Sequence, residues 1–469
     1  MKSPKILYLF IAFLLILEGC KVSKDIAAPK DAAPQVFRGA ATADSTSIAS
    51  LKIKEFFKDE DILRLIDSAL LRNLDVQVAI KNIESAELLF KQSRLGNLPA
   101  VNLQISASSN RPSDNSLNGL STSQFLGTKH IEDYNAVLGL SWEADIWGKI
   151  KSQKQAALAT YLQTAEVRKA LQTRIIANVA QGFYQLLMLD AQMGVARRNV
   201  ALNDSTLNMI KLQFDAGQVT SLAIQQAEAQ RLVAAGIVPQ LEQAIAIQEN
   251  ALSVLAGKVP GAIARASRLE NIAMPERLSA GVPSEMVATR PDVRVADLAL
   301  QVANARVGIS KASLYPSLTI TANGGLNSLK SSNWFTIPAS LFGNVAGGIT
   351  QPIFQRKQLR TQYDLAVVER ERVVIQFRKS VLVALAEVSD ELVKIDKLKQ
   401  QFDLSQQRVV TLQTAVKNAN LLFKNGMATY LEVITAQSNS LQSELELASV
   451  KAAELSAAVE LYRALGGGS

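Results

Sequence analysis

Hydrophobic positions along this chain keep two periods, and segments of each kind recur in a fixed order. Val101, Leu103, Ile105 and Ala107 alternate with Asn102, Gln104, Ser106 and Ser108, and Leu318, Ile320 and Ala322 alternate with Thr319, Thr321 and Asn323. Tyr134, Ala136, Leu138, Leu140 and Trp142 alternate in the same way with Asn135, Gly139, Ser141 and Glu143. A period of two predicts strands with one apolar and one polar face, at about 101–110, 134–144 and 317–327, with a weaker Gly-rich strand at about 341–352. A soluble antiparallel sheet and a membrane strand with lipid on one side both give this pattern.

The second period is helical. Prolines leave two long gaps, 113–238 and 353 to the end, and within the second only Gly426 precedes the terminal glycines. Uninterrupted helices fit there, one ending near 215 and one over 355–425, each about 100 Å long at 1.5 Å per residue. Val381, Leu385, Val388, Leu392, Ile395 and Phe402 step by threes and fours along one seam, as do Leu171, Ile175, Val179, Gly182, Leu186 and Met193. Return helices follow at about 219–256 and 429–465, and Pro239 is expected to kink or end the first of them.

The chain also repeats itself. Phe214, Gly217, Thr220, Leu222 and Ala227 fall on Phe423, Gly426, Thr429, Leu431 and Ala436 at an offset of 209, and Leu252 and Gly257 fall on Leu461 and Gly466. Asp75, Val76, Ala86 and Pro99 fall on Asp292, Val293, Ala303 and Pro316 at an offset of 217. Each half reads helix, strand, strand, long helix, glycine turn, helix. The domains follow: a leader over 1–19, a tether over 20–58, repeats over 59–258 and 284–469, and a linker over 259–283.

Four strands cannot close a membrane barrel, which must satisfy its backbone hydrogen bonds internally and needs about eight strands or more. Two copies would give eight strands with a lumen filled by side chains, and three would give twelve with room for a passage. Trp142, Trp147, Trp334 and Phe335 are candidates for an aromatic girdle at the lipid boundary.

The N-terminus supports the membrane reading. Lys2 and Lys5 precede a 12-residue apolar run, Ile6 to Leu17, too short to span a bilayer and typical of a secretory signal. It ends in Leu17-Glu18-Gly19-Cys20, which resembles a lipoprotein processing site apart from Glu18, so Cys20 is the expected lipid attachment point, with an ordinary signal peptide and an incidental Cys as the alternative. Residues 21–50 lack periodicity and read as a flexible tether.

Composition removes other classes. At 469 residues and 48% hydrophobic, the chain can fill a large folded core. A single Cys and a single His, His130, exclude a disulfide framework, a Cys-based zinc site and most His-based metal or acid–base chemistry, so neither a metal site nor a catalytic residue is expected. The net charge of +8 and pI near 9.3 come from Lys and Arg interleaved with Asp and Glu, with no nucleic-acid motif beside them. Acid–base pairs sit at helical salt-bridge spacing, as with Asp390 and Lys394.

The residues resemble those of the TolC-type outer-membrane factor family, in its lipidated branch serving resistance-nodulation-division efflux pumps. The resemblance rests on Cys20, Arg290-Pro291-Asp292-Val293 with Ala303 and Tyr315-Pro316, the repeated Phe-x-x-Gly-x-x-Thr-x-Leu turn, Ala436-Gln437, and the closing Leu461-Tyr462-Arg463-Ala464-Leu465-Gly466-Gly467. It implies a mainly helical trimer, with a twelve-stranded outer-membrane β-barrel continued by a twelve-helix periplasmic barrel. It also implies a periplasmic adaptor and an inner-membrane pump as partners, outer-membrane lipid around the barrel, and no cofactor beyond the lipid on Cys20. Type I protein secretion and heavy-metal export remain alternative uses of such a duct, and a non-conducting trimeric scaffold is the alternative of a different class.

The resemblance makes the turns, Gly217-Gln218-Val219-Thr220 and Gly426-Met427-Ala428-Thr429, candidate adaptor contacts. It places Glu432 and Thr435 at an aperture that relatives line with carboxylates, while the first-repeat equivalents Ala223 and Gln226 are uncharged. Thr429-x-x-Glu432 is also a capping box, so Glu432 is read either as a cap alone or as a cap and gate. The glycines are equally what any tight helix–helix turn requires. Polar runs such as Gln400-Gln401 and Gln437-Ser438-Asn439-Ser440 line a bore or simply face solvent.

Overall fold

The computed structural model describes residues 37–38, 47–273 and 278–468. Among the described residues ten α-helices and four strands follow in order: α1 (Ile53–Phe56), α2 (Glu60–Arg72), α3 (Leu74–Arg94), β1 (Ala100–Asn110), α4 (Leu117–Ser121), β2 (Ile131–Ala144), α5 (Lys149–Asp215) and α6 (Ser221–Leu255). The second half continues with α7 (Pro283–Thr289), α8 (Pro291–Ala312), β3 (Ser317–Ser328), β4 (Leu341–Thr350), α9 (Gln358–Lys424) and α10 (Tyr430–Ala464). Both long helices have 67 residues and both return helices 35. They begin at 149 and 358, and at 221 and 430, so the offset of 209 seen in the turn motifs is the offset of the helices themselves.

The described residues form two compact units, one of residues 84–162 and 297–375 and the other of the remainder. The first holds a four-stranded antiparallel sheet in the order β1-β2-β3-β4. It also holds a small cluster of Leu300, Ala303 and Val373 where α8 packs on α9. Asp145 sets the start of α5, its carboxylate accepting from the backbone N–H of Ile150 at 2.9 Å and of Lys151 at 2.8 Å.

The second unit carries the main core. Ile62, Leu65, Ile66 and Ala69 make the buried stripe of α2, which Asp59 starts by accepting from the N–H groups of Asp61 and Ile62. This stripe joins Ile175, Ile176, Val179, Phe183 and Leu187 of α5 and Leu455, Val459, Leu461 and Tyr462 of α10 in one cluster. Phe56 stacks on Tyr462 at 4.2 Å, and the Tyr462 hydroxyl donates to the carbonyl of Leu51 at 2.7 Å. Val388 is fully buried, and Val381, Leu385, Leu392 and Ile395 pack beside it, so the seam read along α9 is a packed one.

Four expectations change. The 21–50 stretch is not wholly a free tether, because Phe37 and Ile48 are buried in the main core and Ile48 N–H bonds to Ser279 O. Isolated apolar residues leave no period to read, yet each can plug a core. The 259–283 linker is stitched down as well: Arg265 bonds Asp190 and Glu249, and Ser267 donates to Asp59 and Asp61. Pro239 does not end its helix, since α6 runs unbroken from Ser221 to Leu255. Lys394 pairs with Glu391 at 3.2 Å, one turn along the same helix, in place of Asp390.

Candidate functional site

Strand register decides what the sheet can do. Paired residues lie on the same face, so each row of pairs can be followed across all four strands. Val101, Leu140, Ala322 and Val345 form one row; Leu103, Leu138, Gly324 and Gly343 the next; Ile105, Ala136, Leu326 and Leu341 a third. Trp142, Ile320 and Gly347, then Ala144, Leu318 and Ile349, extend the same face. Every residue in these rows is apolar or glycine. The opposite face carries Asn102, Gly139, Asn323 and Asn344 in one row and Ser106, Asn135 and Asn327 in another. The alternation seen strand by strand is thus one apolar sheet face and one largely polar sheet face.

Neither edge of this sheet is finished. β1 and β4 are the outer strands, of 11 and 10 residues, and every residue in both is exposed. Long, uncovered edges with an apolar face invite further strand pairing.

The aromatic candidates fall at opposite ends of β2. The Trp142 indole donates to Asn97 O at 2.8 Å and the Trp147 indole to Pro316 O at 2.7 Å, with Trp147 stacked on Tyr315 at 4.8 Å. Trp334 lies 5.5 Å from Tyr134 and 5.0 Å from Phe335. Tyr134 and Trp142 are eight residues apart on one strand, about 26 Å at 3.3 Å per residue. The two groups lie toward opposite ends of the apolar rows. The sequence reading did not group Tyr134 with these aromatics, because only the β3–β4 connection brings Trp334 to it.

In the other unit, both glycine turns have the same hydrogen bonds. Gly217 donates to Phe214 O and Gln218 to Gln213 O, while Gly426 donates to Phe423 O and Met427 to Leu422 O. Gly217 and Gly426 take φ of +73° and +71°, the left-handed residue that closes a helix C-terminus. The turns pack through Leu207, Ile210, Ala223, Ala227, Phe423 and Val433, with Val219 and Ala428 alongside, and the Tyr430 hydroxyl donates to Gln226. Gln218, Thr220, Met427 and Thr429 stay exposed.

The turns differ in charge. The Glu432 carboxylate accepts from Thr429 N–H at 2.6 Å, closing its half of the capping box, yet Glu432 and Thr435 remain exposed. Ala223, which takes Glu432's place in the first repeat, is fully buried. Glu432 is thus a cap with its charge open to solvent, and the gate reading survives beside it.

A joint that sequence reading did not single out recurs at the other end of the return helices. The Arg290 guanidinium, only 3% exposed, donates to Ala464 O at 2.9 Å and pairs with Asp292 and Glu387. Asn73 donates to Leu255 O at 3.0 Å. Asn73 and Arg290 are related by the offset of 217, and Leu255 and Ala464 by that of 209. The signal was present in the two offsets, but only the fold reveals that both lead to one helix end.

Cys20 and the apolar leader lie outside the described residues. No cluster of three or more potential metal ligands occurs among the described residues, and none of their helices is long and apolar enough to cross a membrane.

The model of the family described as outer membrane efflux protein matches residues 65–258 and 282–467. The solvent efflux pump outer membrane protein SrpC of Pseudomonas putida is 30% identical, over 97% of this chain and 97% of its own. The probable outer membrane lipoprotein SilC of Salmonella typhimurium is 26% identical over 99% of both. Among solved structures, the open-state MtrE outer membrane channel of Neisseria gonorrhoeae superposes with a TM-score of 0.85 at 25% identity, covering 96% of this chain and 98% of that one.

Proposed function

The chain belongs to the outer membrane efflux protein family, and from that premise we propose how it serves as the outer-membrane exit duct of an efflux system. Three copies pair β4 of one with β1 of the next, closing a twelve-stranded barrel with the apolar face to lipid and the Asn-rich face to a water-filled lumen. Twelve helices continue the passage on the periplasmic side. The aligned apolar face bounded by two open edges carries this reading, because a lone copy would leave both rows of edge backbone groups unpaired in lipid. The aromatics toward its two ends support it.

The duct conducts passively. Strand positions on the lumen face offer mostly amides and hydroxyls, which pass solutes without a fixed binding site. Small molecules arrive from a periplasmic adaptor and an inner-membrane pump of the resistance-nodulation-division type, the adaptor meeting the exposed turns at 217–220 and 426–429. SrpC is named for solvent efflux, which favours small apolar compounds as cargo. SilC is named a lipoprotein, which supports acylation of Cys20.

Reconstitution tests the reading. The purified protein should run as a trimer in mild detergent and give discrete conductance steps in planar bilayers; a monomer without current would refute it. Cys20→Ser should shed the acyl mass, and an unchanged intact mass would remove the lipid assignment alone.

A further inference from the structure

Building on the outer-membrane placement, we propose that the strand-to-helix junction of the second repeat is a binding surface for anionic phospholipid headgroups of the periplasm-facing leaflet. In a single copy of the chain Ile353 and Phe354 are 91% and 84% exposed, among the barest large apolar side chains of the described residues. They follow directly on β4, whose apolar-face residues Val345 and Ile349 are themselves exposed. Arg356 and Lys357 come next, both exposed and neither in an ion pair among the described residues. An apolar shoulder beside unpaired cations matches a leaflet boundary, where acyl chains meet phosphate groups.

Two further observations set this junction apart from its counterpart in the first repeat. Arg356 and Lys357 hold φ of +50° and +61°, the left-handed region that bulky residues avoid. The first repeat places Gly148 at Lys357's position and takes the same turn without strain, at φ +73°. It also places the capping Asp145 where the second repeat has Phe354. The second repeat thus has a strained cation and a bare aromatic where the fold accepts a glycine and a cap.

The helix ends agree. Neither α5 nor α9 has an acidic residue in its first turn, the place where the helix dipole favours one. Cations stand there instead: Lys149 and Lys151, then Lys154, in α5, and Arg360 in α9. Lys149 and Arg360 are partly neutralised by Glu143 and Asp364, but Lys151 and Lys154 have no ion-pair partner among the described residues. Both junctions leave the sheet at the same end, since Ala144 and Ile349 flank Leu318 in one row. A free phosphate could satisfy the charges, but it would leave Ile353 and Phe354 bare, so a lipid is the better match.

Native mass spectrometry of the full-length trimer tests the surface, after exchange into phosphatidylglycerol or phosphatidylethanolamine. Wild type should retain more phosphatidylglycerol. Arg356→Gln with Lys357→Gln should lower that retention at least about tenfold, given about fivefold per basic group at an anionic surface, with trimer mass and conductance unchanged. Should that pair not assemble, Lys151→Gln with Lys154→Gln is expected to act in the same direction. Lys357→Gly separates strain from binding: a purely structural role predicts a more stable trimer with retention unchanged, whereas the lipid surface predicts a more stable trimer with about fivefold less lipid. Equal retention of both lipids, unchanged retention in the variants, or release by millimolar inorganic phosphate would overturn the proposal. Wild-type protein that fails to conduct counts against the duct, and a conducting trimer indifferent to headgroup charge counts against the lipid surface alone.

Discussion

The two repeats share one backbone plan and differ at nearly every joint. Helices of equal length start 209 residues apart, and both glycine turns close with the same bonds. At the joints, Asn73 stands against Arg290, Asp145 against Phe354, Gly148 against Lys357 and Ala223 against Glu432. Regular elements need only the right period and the right breaks, so duplicated copies keep them under wide substitution. Joints are where each copy meets different neighbours. At these four matched positions the first repeat has neutral residues or the capping Asp145, while the second places charge at three of them, buried at Arg290 and open at Lys357 and Glu432.

The sharpest way to break this parallel is at the end of the return helices. Arg290→Ala takes the shared donor from Asp292, Glu387 and the carbonyl of Ala464; the two carboxylates are 49% and 34% exposed and Glu387 keeps Arg463, so the loss should be about 3 kcal/mol. Asn73→Ala removes the bond to Leu255 O together with the two that its Oδ1 accepts from the N–H groups of Asp75 and Val76, and should cost about 2 kcal/mol. Chemical unfolding of both variants, followed by helical circular dichroism, should separate them by about 1 kcal/mol. Equal losses would mean that Arg290 acts as a plain helix cap, as Asn73 does.

Next in size is a pair of glycines just beyond those helices. Gly257 and Gly466 both have positive φ, so alanine costs about 1–2 kcal/mol at either. A Cβ at Gly257 would also lie 2.4 Å from Arg72 O, whereas at Gly466 the nearest atom, Arg290 Cα, is 3.4 Å away. Gly257→Ala should therefore lower the unfolding midpoint more than Gly466→Ala, by roughly a further 1–3 kcal/mol of overpacking. The reverse order would mean that the second repeat is the more tightly closed.

These contrasts mark how far the sequence reaches. The periods of Val101–Ser108 and of Val381–Ile395 state which residues turn inward, because an element's own geometry fixes that. Register across strands does not lie in any one strand, and the continuous apolar face appears only when Leu103 is seen beside Leu138 and Gly324. Phe37 and Ile48 gave no period, and Ile48 is held in place by Ser279, more than two hundred residues along the chain. Glu432 was legible as a cap because a capping box is local. Arg290 was legible as part of a motif but not as a clasp, since Glu387 and Ala464 lie far along the chain.

A smaller effect follows acid. Burial alone would raise the Asp61 carboxyl, but bonds from Ala266 N–H, from Ser267 and from Arg64 outweigh it and hold it below its usual value of 3.8. A depressed folded-state value means stability that is present above the unfolded value and lost as pH falls through the folded one. The first repeat, which Asp61 fastens to the 259–283 segment, should therefore loosen below about pH 4, and Asp61→Asn should flatten that part of the profile. Hydrogen exchange of Ala266 and Ser267 against pH measures it directly; protection independent of pH in that range would show that the carboxylate is not the fastener.

The finest contrast is between Ala223 and Glu432. A glutamine at 432 can still accept from Thr429 N–H, so Glu432→Gln should change stability by less than about 0.5 kcal/mol while removing the negative charge. Glu432→Ala removes both and should cost about 1 kcal/mol. If the exposed charge helps hold a constricted, cation-binding aperture, both variants should weaken block by divalent cations in single-channel records, and to the same degree. If Glu432 is a cap alone, only the alanine variant should differ from wild type, and only in stability. Ala223→Glu is the complementary change: it places a charge at a fully buried position of the packed turns, so it should destabilise the first hairpin without adding an ion site.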